Sequence, residues 1–331
     1  MTIGTESDAP RHAVEHNPAR GFGFALAGAA ILAITAFVLA KYAMRPDGGF
    51  PPALFALIWT ASSSTFLLVA LAARGRLAEL RLPRAALWHV VGAGLIGGFA
   101  HIFFWSGLAL LDPSFAAFLM RFSPVLVILL SAAFLGERLS GFEIAGAVVM
   151  VVGGCVSALG DWQAEAIRTG LVLMLLCCVT AATWRVLIKA RSDLVHPMVG
   201  NFYRLALAAV VIAPWTLWTS ASAADVAADS WVVLFVGAVC GPCIGMSLVF
   251  NSYRYWELSK TSMVVMLQPL IVLPIAAFMP QSTLTRVQLL GGMIILVGGL
   301  WVVWQHSRRE RRPARSPETP APNEMEEEDR A

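Results

Sequence analysis

Long apolar runs alternate with short charged or Gly/Pro-rich breaks along almost the whole chain. Ten runs stand out, at about 21–43, 51–73, 87–110, 115–134, 142–160, 169–189, 198–218, 231–254, 261–279 and 287–305. Each approaches the roughly 20 residues that a helix needs to cross a hydrocarbon core about 30 Å thick. Lipid offers no partner for a free backbone N–H or C=O, so a spanning segment must be a helix or a strand of a closed barrel. The period-two alternation of a barrel strand is absent, which leaves helices. Breaks as short as LLDPS (110–114) and GERLSG (136–141) predict antiparallel hairpins between neighbours. The pattern therefore predicts an all-α integral membrane protein with ten transmembrane helices.

Composition agrees. The 331 residues are 58% hydrophobic and 14% charged, where a soluble domain runs at about 45–50% apolar and about 25% charged. Charge gathers at the two ends of the chain, and a net charge of +3 gives no reason to expect nucleic acid as a partner. What the cations do mark is direction, since loops rich in Lys and Arg stay in the cytoplasm. With the N-terminus inside, Arg11, Arg20, Arg74, Arg76, Arg81, Arg84, Arg138, Arg191, Lys260 and the segment HSRRERRPARS all fall on the cytoplasmic side. The opposite side receives Arg45, Arg168 and Arg286. Both termini are thus expected in the cytoplasm of a cell whose inner (plasma) membrane holds the chain. The polar, acidic lead before residue 21 does not read as a signal peptide, and the basic-then-acidic, proline-bearing end reads as disordered.

The two halves resemble each other. At an offset of 145, Val91-Gly92-Ala93 falls on Val236-Gly237-Ala238, Ser114 on Ser259, and Pro124 on Pro269. The same offset carries Leu139 onto Leu284, Gly146 onto Gly291, and Val152-Gly153-Gly154 onto Val297-Gly298-Gly299. An offset of 148 aligns FVLAKYAM with RVLIKARS and pairs Lys41 with Lys189. Five helices per copy is an odd number, so the copies must be inverted, and two inverted five-helix repeats are a construction of secondary transporters with a site near the midplane.

The segment FSPVLVILLSAAFLGERLSGFEIAGAVVMVVGG joins a proline in span four, Gly136-Glu137-Arg138-Leu139, and a Gly-rich fifth span. It resembles the end of an EamA-type repeat of the drug/metabolite transporter superfamily, and the likeness extends over 21–305 in length, helix number and duplication. The resemblance implies a ten-helix transporter of small organic metabolites in a bacterial-type inner membrane, often an exporter. It divides the chain into a cytoplasmic tail at 1–20, repeats at 21–160 and 161–305, and a disordered tail at 306–331. The second copy departs from the pattern, with Ser282 where Glu137 predicts an acid.

Candidate site residues follow from polarity at membrane depth, where an ionisable side chain costs at least about 2.5–3.5 kcal/mol on insertion scales. His101 lies four residues before Trp105 on one face of span three, and Arg121 lies three before Pro124 in span four. Arg121 is read as a substrate or gating group, against a structural partner for backbone carbonyls; His101 stands between such a role and an interhelical hydrogen bond. Arg204 with Asn201 and Tyr203, Arg185 with Lys189, Arg254 with Asn251, and Lys41 lie nearer helix ends, where snorkelling explains a cation. Trp184, Gln268 and Tyr255 can line a cavity, and Pro124 and Pro269 each free a carbonyl near mid-span. No Asp or Glu sits mid-span, which favours an anionic or zwitterionic solute held by charge-assisted hydrogen bonds over a lipophilic cation. Proton coupling, if any, then falls to His101.

Other chemistry finds little support. Cys240-Gly241-Pro242-Cys243 copies a thioredoxin-type motif, but its surroundings WVVLFVGAVCGPCIGMSLVF are apolar throughout, which suppresses a thiolate. Gly94–Gly98 and Gly237–Gly241 share GxxxG spacing, so the motif reads as a small-residue packing point. The other cysteines, Cys155, Cys177 and Cys178, also lie in apolar stretches. His12 and His16 lie in the polar lead while His89, His101, His196 and His306 are scattered, so no metal site, cofactor or enzyme is expected. The expected partners are a small metabolite and the lipid bilayer, a homodimer being left open. The competing classes are a non-transporting membrane sensor or scaffold and, behind it, an integral-membrane enzyme.

Overall fold

The computed structural model describes residues 18–135, 140–159, 165–189, 194–219, 221–252, 255, 261, 264–279 and 284–310. Among these, eight helices are long and apolar enough to cross a membrane, two apolar helices are shorter, and no strand occurs. In chain order they are α1 (Ala19–Ala43), α2 (Pro52–Ala73), α3 (Arg84–Leu110), α4 (Pro113–Leu130) and α5 (Gly141–Ser157). The second half supplies α6 (Glu165–Ile188), α7 (Met198–Trp218), α8 (Ala228–Val249), α9 (Val264–Ala276) and α10 (Arg286–Gln305). The shorter two are α5 and α9. The Gly136–Leu139 motif, Arg191, Arg254, Lys260, Ser282, His12 and His16 lie outside the described residues.

Packing follows the small residues. Helix α3 lies between α6 and α7, α8 lies between α1 and α2, and α5 packs along α10. A Cβ on Gly94 would stand 2.5 Å from Leu207 Cδ1, and one on Gly98 2.5 Å from Val211 Cβ, so the glycine spacing of α3 admits α7. A Cβ on Gly237 would stand 2.5 Å from the Trp59 ring, and one on Gly241 2.7 Å from Thr35 Oγ1, which brings α8 against α2 and α1. The expected packing role of GxxxG at the CGPC motif is thus visible as contact. Between α5 and α10 the backbones nearly touch: a Cβ on Gly153 would lie 2.8 Å from Gly291 O, and one on Gly298 2.9 Å from Gly146 O. Gly146 facing Gly298 while Gly153 faces Gly291 is an antiparallel register.

Helices α5 and α10 open on matching capping boxes, a Ser/Thr and a Glu/Gln three residues on that satisfy each other's free N–H groups. Ser140 N donates to Glu143 Oε2 at 2.6 Å and Glu143 N to Ser140 Oγ at 3.2 Å. Thr285 N donates to Gln288 Oε1 at 3.1 Å and Gln288 N to Thr285 Oγ1 at 3.3 Å. Buried Glu143 is therefore a helix cap.

Four helices carry irregularities. Val239–Gly245 of α8 is π-helical around Pro242, which has no N–H for Ala238 O four residues before it. Ser63 Oγ of α2 donates to that carbonyl at 3.2 Å. A second π segment, Ile34–Leu39 in α1, contains no proline. Helix α4 stops at Leu119 and resumes at Phe122, two residues before Pro124, and α9 turns at Leu267, two residues before Pro269. The prolines thus interrupt rather than merely bend their helices.

Candidate functional site

The two interruptions meet through one side chain. Arg121, in the α4 break, is buried and donates from Nε to Ala117 O at 3.1 Å, from Nη1 to Val265 O at 2.7 Å and from Nη2 to Gln268 Oε1 at 3.0 Å. Val265 O is the acceptor that an N–H at position 269 would have reached in a continuous helix, and Pro269 has none. Gln268 Nε2 donates onward to Ala29 O at 3.1 Å, so the guanidinium ties α4, α9 and α1 together. These three acceptors are carbonyl and amide oxygens, which places Arg121 as a clamp on broken backbone.

A second buried cation stands on α7. Arg204 of α7 is 7% exposed and donates from Nε and Nη2 to Asn201 Oδ1 at 3.2 and 2.8 Å. Asn201 Nδ2 in turn reaches Pro242 O at 3.5 Å, at the π segment of α8. The Arg204 guanidinium sits 5.0 Å from the centre of the Trp184 ring, a cation–π arrangement. His101 Nδ1 lies 2.8 Å from Gly97 O and its Nε2 3.5 Å from Arg204 Nη1. A carbonyl only accepts, so this bond assigns the proton to Nδ1 and turns the lone pair of Nε2 toward Arg204.

Arg185 of α6 joins the two. Its Nη1 donates to Ser123 Oγ at 3.0 Å, its guanidinium lies 5.5 Å from the Trp184 ring centre, and it is within electrostatic reach of both Arg121 and Arg204. Three guanidinium groups and an imidazole from α3, α4, α6 and α7 therefore share one region. The ion pairs Arg45–Asp229 and Arg76–Glu79 lie at helix ends, away from it in sequence. Arg121 and Arg204 are held by neutral acceptors, so their charge is offset by dipoles. Snorkelling does not describe buried Arg204. Nor does it describe Lys41, whose Nζ donates to Leu108 O at 3.0 Å and Ala109 O at 2.7 Å and so caps the C-terminal, negative end of α3.

One turn beyond His101 the surroundings become aromatic. Trp105 packs edge-on against Phe104, Phe55 and Trp59 at centroid distances of 4.7, 4.9 and 5.3 Å. Phe55 continues to Phe50 at 6.1 Å, and Phe50 to Trp231 at 4.8 Å. Over this cluster the α1–α2 connection is latched to the start of α8. Arg45 Nη2 grips Asp229 Oδ1 and Oδ2 at 2.8 and 2.9 Å, Tyr42 Oη donates to Asp229 Oδ2 at 2.8 Å, and Ala227 N donates to Gly48 O at 3.0 Å.

Of the residues expected from sequence, His101, Arg121, Trp184, Arg204 and Gln268 come together directly or through Arg185, with Trp105 adjoining them. Pro124 and buried Pro269 flank the two breaks. Asn251, at the end of a helix closing with Ser252, has no contact among the described residues that links it to the group. Tyr255 stacks on Phe24 at 5.5 Å instead. In the sequence Arg185 and Asn201 stand near helix ends, and nothing there singles out Ser123 or the Phe55–Trp59 wall. The signal for Arg185 is its adjacency to Trp184, with Lys189 the other charge in the run 169–189. All five cysteines are free, and Cys243 Sγ lies 3.8 Å from Ser63 O. Among the described residues no cluster of His, Cys, Asp and Glu could hold a metal.

Comparison with known proteins matches residues 19–159 and 168–304 to the EamA-like transporter family. Over 132 residues the chain is 34% identical to the aromatic amino acid exporter YddG of Ancylobacter novellus, a match that covers 39% of this chain and 45% of that protein. A solved crystal structure is similar at a TM-score of 0.59 and 24% identity, over 87% of this chain and 99% of its own, which speaks to the fold alone.

Proposed function

The chain belongs to the EamA-like transporter family of the drug/metabolite transporter superfamily, and on that premise we propose that it exports a small anionic or zwitterionic metabolite, such as an amino acid or related compound, by alternating access. Family and apolar helices support a multi-pass membrane transporter rather than an enzyme. The observation that carries the finer reading is Arg204, buried between α3, α6 and α7 on neutral partners. Charge at membrane depth is expensive, and the nearby charge of Arg185 raises the cost of burying Arg204 and Arg121. An anionic solute group relieves that cost through charge-assisted hydrogen bonds, whereas a cation would add to the repulsion. The Ancylobacter protein is an amino acid exporter by name, in keeping with a zwitterion.

Inverted five-helix repeats, at 21–160 and 161–305, are supported by the contacts. Exchanging each helix for its counterpart five places on turns the α3–α6 contact into α8–α1, α3–α7 into α8–α2 and α4–α6 into α9–α1, all of which occur. The Gly146–Gly298 contact likewise becomes Gly291–Gly153. Two similar halves around Arg204 and Arg121 can then exchange openings to the two sides. The cation asymmetry of the loops supports cytoplasmic termini in the inner membrane. In this reading Arg204, Arg185 and His101 meet the solute with Trp184 beneath them, and Arg121 with Gln268, Pro124 and Pro269 forms the gating joint.

The test is flux in proteoliposomes for amino acids, their anionic 2-oxo analogues and their decarboxylated amines. Wild type is expected to carry the first or second class and to exclude the amines. Arg204→Ala should lower transport at least tenfold while the protein stays folded. Flux of the amines with no dependence on Arg204 would sink the proposal.

A further inference from the structure

The indole Nε1 of Trp105 is buried without a hydrogen-bond partner, in a side chain only 2% exposed. A buried indole N–H ordinarily finds an acceptor, and one left unmade forfeits desolvation that nothing returns. Packing alone gives no reason for the polar atom, because the rings around it include Phe55 and Phe104, and phenylalanine there would bury no donor. The donor also has a position relative to the cations. Trp105 is four residues from His101 on α3, a rise of about 6 Å on the same face, and His101 Nε2 lies 3.5 Å from Arg204 Nη1. From the other side Trp59, 5.3 Å away in α2, rests on Gly237 and Gly241 of α8. Trp105 thus stands one helical turn along α3 from His101 of the cationic group, and its unpaired N–H lies inside an aromatic wall that reaches Trp231 of the second half.

We infer that Trp105 is a specificity-determining donor for the transported solute, hydrogen-bonding an acceptor that the solute carries about one helical turn, roughly 6 Å, from its anionic group. The inference rests on the anion-binding reading of Arg204 and adds to it a substrate class: amino acids and similar solutes whose side chain ends in a hydrogen-bond acceptor set in an otherwise apolar group. A site that offers a buried donor rejects the analogue lacking the acceptor, because the donor then stays unmade, while an apolar pocket discriminates weakly between such isosteres.

The experiment compares pairs that differ by one acceptor, methionine sulfoxide with methionine and tyrosine with phenylalanine, as KM for uptake into proteoliposomes. Wild type is expected to favour the acceptor-bearing member by about tenfold. In Trp105→Phe the ratio should fall to within about twofold, chiefly because the KM of the acceptor-bearing member rises, and the unfolding temperature should not drop. Equal KM values within each pair for wild type overturn the inference and leave the transporter reading standing. So does a Trp105→Phe protein that keeps its preference, or one that loses both members alike with a lower unfolding temperature, since the N–H then serves packing. Wild type that carries no member of either pair overturns both this inference and the amino acid reading beneath it.

Discussion

Arg121 and Pro269 are coupled through a single carbonyl, and a double-mutant cycle reads that coupling. In Arg121→Met, Val265 O and Gln268 Oε1 both lose the donors that meet them at 2.7 and 3.0 Å. An unsatisfied buried polar group costs about 1–3 kcal/mol. Against this, removing a guanidinium from membrane depth returns about 2.5–3.5 kcal/mol on insertion scales, so the single variant has no fixed sign. The cycle cancels that ambiguity. Pro269→Ala supplies an N–H four residues after Val265, and in its presence the carbonyl no longer depends on Arg121. Arg121→Met should therefore cost less in the Pro269→Ala background than in wild type, by about 0.6 kcal/mol and at most about 1.7, the range of interhelical hydrogen bonds in membranes. Thermal unfolding in detergent, followed by tryptophan fluorescence, measures the four proteins, with a coupling on the order of 2 °C. Pro214→Ala in α7 is the control, since its freed carbonyl, Val210 O, has no contact with Arg121. Additivity of Arg121→Met with Pro269→Ala to within about 0.3 kcal/mol would refute the clamp.

Three further outcomes test the packing around the site. Gly153→Val should destabilise by at least about 1–3 kcal/mol, the usual cost of overpacking, because its Cβ would meet backbone atoms Gly291 O and Ile295 N at 2.8 Å; Gly141→Val, with nothing within 4 Å, should not, and a similar loss in both removes the close-contact argument. Breaking the end latch with Arg45→Ala should speed hydrogen exchange at Ala227 by about 1.4- to fivefold, as a partly exposed ion pair worth about 0.2–1 kcal/mol predicts; unchanged exchange would mean that Gly48 O holds this segment without Arg45. Replacing both Cys240 and Cys243 by Ala should leave transport and its response to oxidants as in wild type, which a redox role for CGPC forbids.

The family likeness is legible in the sequence, since it rests on the proline, the Gly-rich spans and the duplication, all of which are local or periodic. Charge near a helix end was less legible. Arg204 and Lys41 look like snorkelling cations in the sequence, because position along a span says nothing about the face that a side chain takes or about the neighbour beside it. Arg204 is instead turned inward onto Asn201, His101 and Trp184, and Lys41 onto the carbonyl end of another helix. The capping boxes at Ser140–Glu143 and Thr285–Gln288 were readable as motifs, and with them the end-of-span Glu143 needs no further role.

Sequence by itself determined that the chain is helical and membrane-spanning, because lipid forces the backbone to satisfy itself within each apolar run, and length and hydropathy are enough to say so. It also marked three losses, since a proline at 124, 242 or 269 has no N–H whatever lies around it. It did not mark which prolines interrupt, because Pro214 and Pro274 sit inside helices that run on and the π segment of α1 has no proline. Ser123 N, close by in the chain, meets Met120 O at 3.2 Å below Pro124; for the other two losses only the tertiary structure decided who answers. Ser63 serves Ala238 O and Arg121 serves Val265 O from helices 175 and 144 residues away in the chain. A freed carbonyl has no preference for sequence neighbours; it takes the nearest donor, and which donor is nearest is set by the packing of glycine faces that bring separate helices together.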